Sequence, residues 1–190
     1  MSEFWDAEAA TFDDEPDHGL RDPEIREAWR RLLTAHLPQP PARVADLGCG
    51  TGTLSVLLAD EGYAVDGVDF SPEMVDAARE KAAGRAEVTF AVGDAGGPPF
   101  EPAAYDVVLC RHVLWALDDK AAALENWGGL LREDGRLVVV EGFWHTGSGL
   151  RAAETEALLR AAGREPTTCS LREDVYWGGP TRDERYLVVA

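Results

Sequence analysis

The chain has 190 residues, a length that suits one domain, and 45% of them are hydrophobic, as in ordinary globular proteins. Its 35 acidic and 18 basic residues give a formal net charge of −17, and an acidic surface repels both phosphate backbones and anionic membranes. Composition therefore disfavours nucleic acid and membrane partners, and an acidic N-terminus without a leader pattern favours a cytoplasmic protein.

The first 40 residues are rich in acids and aromatics, and they predict a helical unit. Asp22 and Pro23 are a typical helix start with the aspartate as N-cap, and apolar residues at helical spacing continue the helix to about Leu37. The proline-rich stretch 38–41 then ends it. We therefore predict two units, an N-terminal unit over 1–40 and a core over 41–190.

From residue 43 onward, strand patterns alternate with helix patterns. Strands are predicted over 44–47, 64–69, 87–92, 106–110 and 136–140, and helices over 51–61, 71–83, 121–131 and 149–162. Two short strands, 167–171 and 186–189, follow without a helix between them. The alternation predicts an α/β fold with a doubly wound, mostly parallel sheet and an antiparallel pair at its end.

A glycine-rich loop, Val44-Ala-Asp-Leu-Gly-Cys-Gly-Thr-Gly52, follows the first predicted strand, where doubly wound sheets bind nucleotides. A dinucleotide site has the spacing G-x-G-x-x-G/A, which would place its third small residue at Thr53. The third glycine comes one residue earlier, at Gly52, and Asp46 precedes the loop. This spacing disfavours a dinucleotide ligand.

Two acids follow the next two predicted strands. Asp69 ends the second strand and can accept hydrogen bonds from both ribose hydroxyls of a nucleoside. Its alternative role is to cap the following helix, although Ser71 already supplies a helix start. Asp94, with Ala95, ends the third strand and is either a turn residue or an acceptor for an adenine amino group.

Residues 43–190 resemble the core of class I S-adenosylmethionine (SAM) dependent methyltransferases. Segment 44–52 matches the first motif of that family, 67–74 its ribose block, 93–95 its adenine block and 105–114 its fourth strand, while Glu-Asp-Gly at 133–135 replaces the usual Pro-Gly-Gly. The opening segment 4–13 resembles the lid of the subgroup related to ubiquinone and menaquinone methyltransferases. The resemblance implies a Rossmann-like seven-stranded sheet in the order 3-2-1-4-5-7-6, with the last strand antiparallel, beneath an N-terminal helical lid.

The resemblance also implies the cofactor, SAM, whose product is S-adenosylhomocysteine (SAH). The backbone at Gly48, Gly50 and Gly52 should face the methionine part and the ribose, and Asp46 should orient the methionine part. Arg111 should lie beside the SAM amino group, or its side chain should form a structural ion pair.

The other implied cofactor contacts lie after the second and third strands. Asp69 should hold the ribose, and Phe70 should cover the adenine. Asp94 and Ala95 should read the adenine edge, the first with its side chain and the second with its backbone.

Methyl transfer needs positioning, and a base where the acceptor carries a proton. His112, after the fourth strand, and His18, in the lid, are the candidate catalytic residues; the alternatives are a packed histidine at a helix start for His112 and an exposed loop histidine for His18. Trp5, Trp115 and His145 are candidate substrate contacts, although single aromatic residues are more often core.

The sequence therefore predicts a SAM-dependent methyltransferase acting on O, N or C of a small molecule, in secondary metabolism, as a monomer or homodimer. We find no metal-ligand spacing. One alternative is an NAD(P)-dependent oxidoreductase, which the glycine spacing disfavours. Another is a protein that binds SAM without transferring its methyl group.

Overall fold

A computed structural model describes residues 2–190, in which seven strands form one sheet in the order β3-β2-β1-β4-β5-β7-β6. The strands are β1 Arg43–Leu47, β2 Ala64–Asp69, β3 Val88–Val92, β4 Tyr105–Arg111, β5 Leu131–Phe143, β6 Thr167–Ser170 and β7 Glu184–Val189. The helices are α1 Ser2–Glu8, α2 Pro16–Gly19, α3 Pro23–His36, α4 Thr53–Asp60, α5 Pro72–Lys81, α6 Lys120–Leu130 and α7 Ala152–Ala161. The predicted α/β class and strand order are confirmed.

Strand β1 lies in the middle of the parallel part of the sheet, between β2 and β4. The pairs β2–β3 and β4–β5 are also parallel, whereas β7 pairs antiparallel with both β5 and β6. The predicted antiparallel pair at the end of the chain is therefore confirmed. Because the carboxyl ends of β1, β2, β3 and β4 share one edge, the residues that follow these strands come together there.

Strand β5 begins five residues before the predicted start, directly after α6. The polar sequence at 133–135 has the composition of a turn, and it lies at a shift of register: Tyr105 pairs with Leu131, but Val107 pairs with Arg136. The strand therefore continues through this irregular segment, where the sequence pattern predicts a loop.

Each face of the sheet carries its own hydrophobic cluster. One cluster contains α3 and α4, with Trp29, Leu33 and Leu58 fully buried against strand residues. The other contains α6 and α7, with Trp127 and Leu159 fully buried. Burial on both faces explains why the central strands are almost continuously apolar.

The N-terminal 40 residues divide into two parts in the structure. Helix α3 begins as predicted, because an oxygen of the Asp22 side chain accepts from the backbone N–H of Glu24 at 2.7 Å. Since α3 packs in the same cluster as β1, it belongs to the core by its contacts. Residues 2–19, called the lid below, lie over the carboxyl edge of the sheet. The boundary at residue 40 stays a prediction.

The helices of residues 2–190 are all too short or too polar to traverse a lipid bilayer. Cys49, Cys110 and Cys169 are free thiols.

Candidate active site

A cavity of about 960 Å³ lies between the lid and the carboxyl edge of the sheet. Its wall contains every predicted site residue except Gly52 and His145: Trp5, His18, Asp46, Gly48, Gly50, Asp69, Phe70, Asp94, Ala95, Arg111, His112 and Trp115. The side chains predicted to bind a cofactor and those predicted to contact an acceptor thus share one space.

The glycine loop is fixed to β2 through its backbone. The N–H groups of Gly48 and Cys49 both donate to the carbonyl of Val68, at 2.8 and 3.0 Å. Gly48 has φ +73°, and a Cβ there would lie 2.2 Å from a methyl carbon of Val113. Only glycine fits this position, so the loop presents bare backbone to the cavity.

Gly52 lies behind the cavity wall, not on it. A Cβ at this residue would lie 2.8 Å from the ring of Phe90 and 2.9 Å from Ala78. Its φ of +74° also favours glycine. Gly52 therefore allows the loop to pack closely against α5 and β3. The predicted contact of its backbone with a cofactor is not supported, because Gly52 does not line the cavity.

The carboxylate of Asp69 is held by backbone donors of two loops. One oxygen accepts from Gly50 N–H at 2.9 Å and the other from Ser71 N–H at 3.0 Å. The cap of α5 is Ser71, whose hydroxyl accepts from Met74 N–H at 3.2 Å. Burial raises the pKa of Asp69. Since each carboxylate oxygen can accept more than one hydrogen bond, Asp69 can still bind a ligand's hydroxyl groups.

Asp46 is a buried carboxyl beneath the loop. Its Oδ2 accepts from the Ser55 hydroxyl at 2.5 Å. Burial raises its pKa to about 6, and the hydrogen bond from Ser55 and the charge of Arg111 oppose that shift.

The segments after β2 and β3 supply the residues predicted to contact the adenine. An oxygen of Asp94 accepts from Gly96 N–H at 2.8 Å, so this residue does form a turn, and it also lines the cavity. Ala95 is buried, and its carbonyl accepts from the indole of Trp127 at 2.7 Å. Phe70 is among the few large apolar side chains that are exposed, at 37%.

Arg111 ends β4 with a buried guanidinium. It donates to the backbone carbonyl of Asp17 in the lid and lies 5.1 Å from the ring of Trp29. Within residues 2–190 it has no carboxylate partner inside 4 Å, so the ion pair considered as its alternative role is not formed. Burial lowers its pKa, and the charges of Asp17, Asp46 and Asp13 oppose that effect from longer range.

His112 follows Arg111 with φ +58°, a conformation that side chains rarely adopt. Its N–H donates to Val140 O at 2.9 Å, and its Nε2 lies 3.3 Å from Nη1 of Arg185. A guanidinium can only donate, so Nε2 is the acceptor and the proton sits on Nδ1. Burial and the charges of both arginines hold the pKa of His112 well below its usual value. The ring is therefore neutral, and the lone pair that a base would use is engaged.

His18 comes from the lid and faces the same end of the cavity. Its ring stacks on Phe12 at 4.2 Å, and its Nε2 lies 3.7 Å from a carboxylate oxygen of Asp17. Its Nδ1 is buried without a hydrogen-bond partner among residues 2–190. Burial lowers the pKa of His18 and the charge of Asp17 opposes that shift, so the ring is neutral at pH 7.

Tryptophans wall this end of the cavity. Trp5 lies 6.2 Å from Phe12, and Trp115 lies 5.3 Å from Trp144, both edge to face. His145 is not brought to the cavity: its side chain is 74% exposed, and its Nδ1 lies 3.0 Å from Asp183. In the turn after β5, Trp144 faces inward and the next side chain therefore faces solvent.

The structure adds Arg185 to the predicted set. It lies on β7, lines the cavity and reaches both His112 and Asp183. The predicted strand began at Tyr186, which left Arg185 in a loop. The sequence gives one indication that Arg185 belongs to the strand, because this residue directly precedes an apolar strand pattern. That indication is weak as long as the neighbouring strand is unknown.

Asp17, His18 and His112 each offer one ligand atom within 4.8 Å of the others. Their neighbours disfavour a divalent cation there. The guanidinium groups of Arg111 and Arg185 both lower the pKa of His112, and Nε2 of that ring already accepts from Arg185.

Polar contacts fasten the lid to the core. Asp13 accepts from the Thr51 hydroxyl at 2.6 Å and pairs with the ammonium of Lys81 at 2.7 Å. Asp6 accepts from the Ser71 hydroxyl at 2.5 Å. These contacts hold the lid over the glycine loop, together with the ring of Phe12, which lies against Gly50.

Comparisons with known proteins agree with this geometry. A family model described as a methyltransferase domain matches residues 45–139, half of the chain. Demethylmenaquinone methyltransferase of Deinococcus radiodurans is 35% identical over 133 residues, which are 68% of this chain and 55% of that relative. The chain spans about half the length of the curated relatives it matches.

Solved structures show the same fold. The complex between the Haloferax volcanii Trm112 methyltransferase activator and a methyltransferase matches with a TM-score of 0.74 at 24% identity, over 97% of this chain and 96% of that one. Magnesium protoporphyrin IX methyltransferase of Synechocystis PCC 6803, solved with bound SAM, matches with a TM-score of 0.66 at 26% identity, over 86% and 77%. From the family match and the fold, the chain belongs to the class I SAM-dependent methyltransferases.

Proposed function

We propose that this protein transfers a methyl group from SAM to an O, N or C atom of a small molecule. The observation that carries the proposal is the single cavity whose wall has carboxylates and bare glycine backbone at one end and histidines with tryptophans at the other. A donor bound at the first end and an acceptor at the second would meet inside a closed space.

The first end fits the functional groups of SAM. Asp69 would accept from the ribose hydroxyls, and Asp94 from the adenine amino group, with Phe70 over the ring. Asp46 and the backbone at Gly48 would face the methionine part. When bound, SAM supplies a methyl group activated by its sulfonium, so the protein has to position and enclose the reactants.

Further cofactor contacts are proposed on the same grounds. Gly50 would present backbone to the ribose, since it is fixed by Asp69. Ala95 would read the adenine edge with its backbone, and Arg111 would lie beside the methionine amino group. All three line the cavity.

The second end provides what an acceptor needs. The lid would exclude water, and Trp5 and Trp115 would hold a flat, apolar molecule between them. His18 would take a proton from an acceptor that carries one, because its neutral ring lies in the cavity wall close to His112. His112 would contact the acceptor as a hydrogen-bond donor, since its Nε2 is engaged by Arg185.

The aromatic wall also guides the choice of acceptor. The relative from Deinococcus radiodurans is named for demethylmenaquinone, and an apolar aromatic molecule of that kind suits a cavity walled by tryptophans. Demethylmenaquinone is therefore the first acceptor to assay. The role in secondary metabolism stays a prediction.

We also propose that the protein acts in the cytoplasm, as a monomer or homodimer. Its three cysteines are unpaired, as is usual in a reducing compartment. Within residues 2–190, the large apolar side chains that are exposed are Phe4, Phe70 and Val92, which do not make the extensive apolar patch of an obligate oligomer.

Two measurements test the proposed function. Calorimetric titration should show that SAM and SAH bind with one site per chain, and NADH should not bind. Transfer of the labelled methyl of SAM to demethylmenaquinone or to a metabolite extract should then be detected. Binding without transfer to any product would favour the alternative in which SAM is bound but not used for methylation, and absence of SAM binding would refute the cofactor assignment.

A further inference from the structure

Arg185 is held rigidly at the acceptor end of the cavity. Its aliphatic stem crosses Gly142 of the neighbouring strand, where a Cβ would lie 2.8 Å from its Cδ. Its guanidinium carbon lies 5.0 Å from the ring of Trp144 and 4.7 Å from that of Trp177. The side chain is only 12% exposed. Contact with two indoles therefore fixes the guanidinium where a bound acceptor would meet it.

The donors of this guanidinium are only partly used. Nη2 donates to Asp183 at 2.8 Å, and Nη1 donates to Nε2 of His112. Nε is buried without a partner among residues 2–190. Each Nη carries two hydrogens, so both retain one for a further acceptor.

Two guanidinium groups line this end although the whole chain carries a formal charge of −17, and the carboxylates of Asp17 and Asp183 lie near them. Arg185 is matched by Asp183, which His145 also contacts. Arg111, in the same cavity wall, has no carboxylate within 4 Å in the described chain. The charge of the half-buried Arg111 is thus compensated at longer range, first by Asp17, whose backbone carbonyl it also contacts.

We propose that Arg185, held in place by His112 and Asp183, binds an anionic oxygen of the acceptor, and that the acceptor is a planar ring compound carrying a carboxylate or an ionised hydroxyl. This inference rests on the proposed function, because it names the class of molecule that the methyl group reaches. Trp115 and Trp144 contact the ring, the guanidinium donates to the oxygen, and a neutral analogue offers that cation a weaker acceptor.

The test uses two probes of one shape, 2-naphthoate and the neutral 2-naphthamide. Each is titrated calorimetrically into the protein saturated with SAH. We expect 2-naphthoate to bind about tenfold tighter or more, because charge-assisted hydrogen bonds to buried donors are strong. Equal affinity of the two probes, or no binding of 2-naphthoate to the SAH-loaded protein, would overturn the proposal.

Three variants locate the effect. Arg185→Gln should remove the preference for the anion, and Arg185→Lys should keep the preference at lower affinity. Arg151→Gln removes an arginine that is 57% exposed and lies outside the cavity wall, so the wild-type preference should persist. A preference retained in Arg185→Gln would contradict the assignment.

SAH affinity serves as the independent readout. It should stay within about twofold of wild type in all three variants, since Arg185 lies at the other end of the cavity from Asp69. If wild type bound no SAH, the proposed function itself would fail. If it bound SAH and did not distinguish the probes, only the acceptor assignment would fail. The comparison of the two probes uses the wild-type protein, so it does not depend on the folding of any variant.

Discussion

The two ends of the cavity are built in different ways. The cofactor end comes from a continuous stretch of about fifty residues, in which the loops after β1, β2 and β3 follow one another along the chain. The acceptor end joins His18 of the lid, His112 after β4, Trp144 after β5 and Arg185 on β7. The first is therefore local in sequence and the second is assembled only by the complete fold.

The ends also differ in charge. Asp46, Asp69 and Asp94 line the cofactor end, whereas two guanidinium groups, two neutral imidazoles and one carboxylate, Asp17, line the acceptor end. This difference favours a ligand with hydrogen-bond donors at the cofactor end and a second ligand with a hydrogen-bond acceptor atom at the acceptor end. The comparison predicts that mutations at one end change cofactor affinity and that mutations at the other change turnover.

The largest effect is expected from Asp69→Ala. The change removes the carboxylate proposed to hold the ribose and frees the N–H groups of Gly50 and Ser71, so we expect the Kd for SAM to rise about 100-fold. Calorimetry measures it. Asp76→Ala, which removes an exposed carboxylate on α5, is the matched control and should bind as wild type. Full binding by Asp69→Ala would remove the basis for the cofactor end.

A second prediction concerns Glu141, which is fully buried beneath the 3₁₀ turn Leu114–Ala116 and accepts from Trp115 N–H at 3.2 Å. Burial raises its pKa from 4.5 to about 8. Between these values the folded state binds more protons than the unfolded state. The free energy of unfolding should therefore fall as pH rises from about 4.5 to 8.

Glu141→Gln imitates the protonated side chain and should remove this pH dependence. At pH 9 we expect the variant to exceed wild type in free energy of unfolding by about 4 kcal/mol, and at pH 5 the two should be similar. Denaturant unfolding across this range measures it, with exposed Glu125→Gln as the control. A pH-independent difference between Glu141→Gln and wild type would contradict the assignment.

The acceptor end is tested by His18→Ala. Loss of a group positioned to take a proton should lower kcat about tenfold while the Kd for SAM stays near wild type. His145→Ala is the matched control, because that ring lies outside the cavity wall and should leave kcat unchanged. Equal turnover of wild type and His18→Ala would show that catalysis rests on positioning alone.

The smallest effect is expected at the lid. Lys81→Ala removes the ammonium that joins Asp13 to the hydroxyls of Thr51 and Thr53, so SAH should dissociate about threefold faster. Stopped-flow displacement measures the rate. Arg31→Ala removes an exposed positive charge from α3 and should leave the rate unchanged. If the rates of Lys81→Ala and wild type agreed, these contacts would not hold the lid.

The cofactor end could be predicted from the sequence because its residues follow strand patterns at fixed spacing. At Gly52 the same reasoning predicts a backbone contact with the cofactor, whereas Gly52 lies outside the cavity wall, with Phe90 and Ala78 where a side chain would stand. The reasoning also predicts His145 beside the substrate because that residue follows β5, but Trp144 lines the cavity and the His145 side chain is exposed. Distance from a strand end does not specify which side chain faces in.

Arg185 could not be predicted, for a physical reason. Its position depends on antiparallel pairing of β7 with β5, which sets Arg185 opposite Gly142 and leaves room for its stem. The His112 tautomer depends in turn on Arg185. The sequence of one strand does not specify its register with a neighbouring strand. The arrangement of side chains at the acceptor end therefore depends on the assembled sheet.

The central claim is that one cavity receives the cofactor at the carboxylate end and the acceptor at the histidine end. A crystal structure with SAH tests it most directly. The account predicts the ribose hydroxyls within hydrogen-bond distance of Asp69, and the sulfur facing the space between His18, His112 and Trp115. SAH bound elsewhere, or bound with its sulfur turned away from that space, would contradict it.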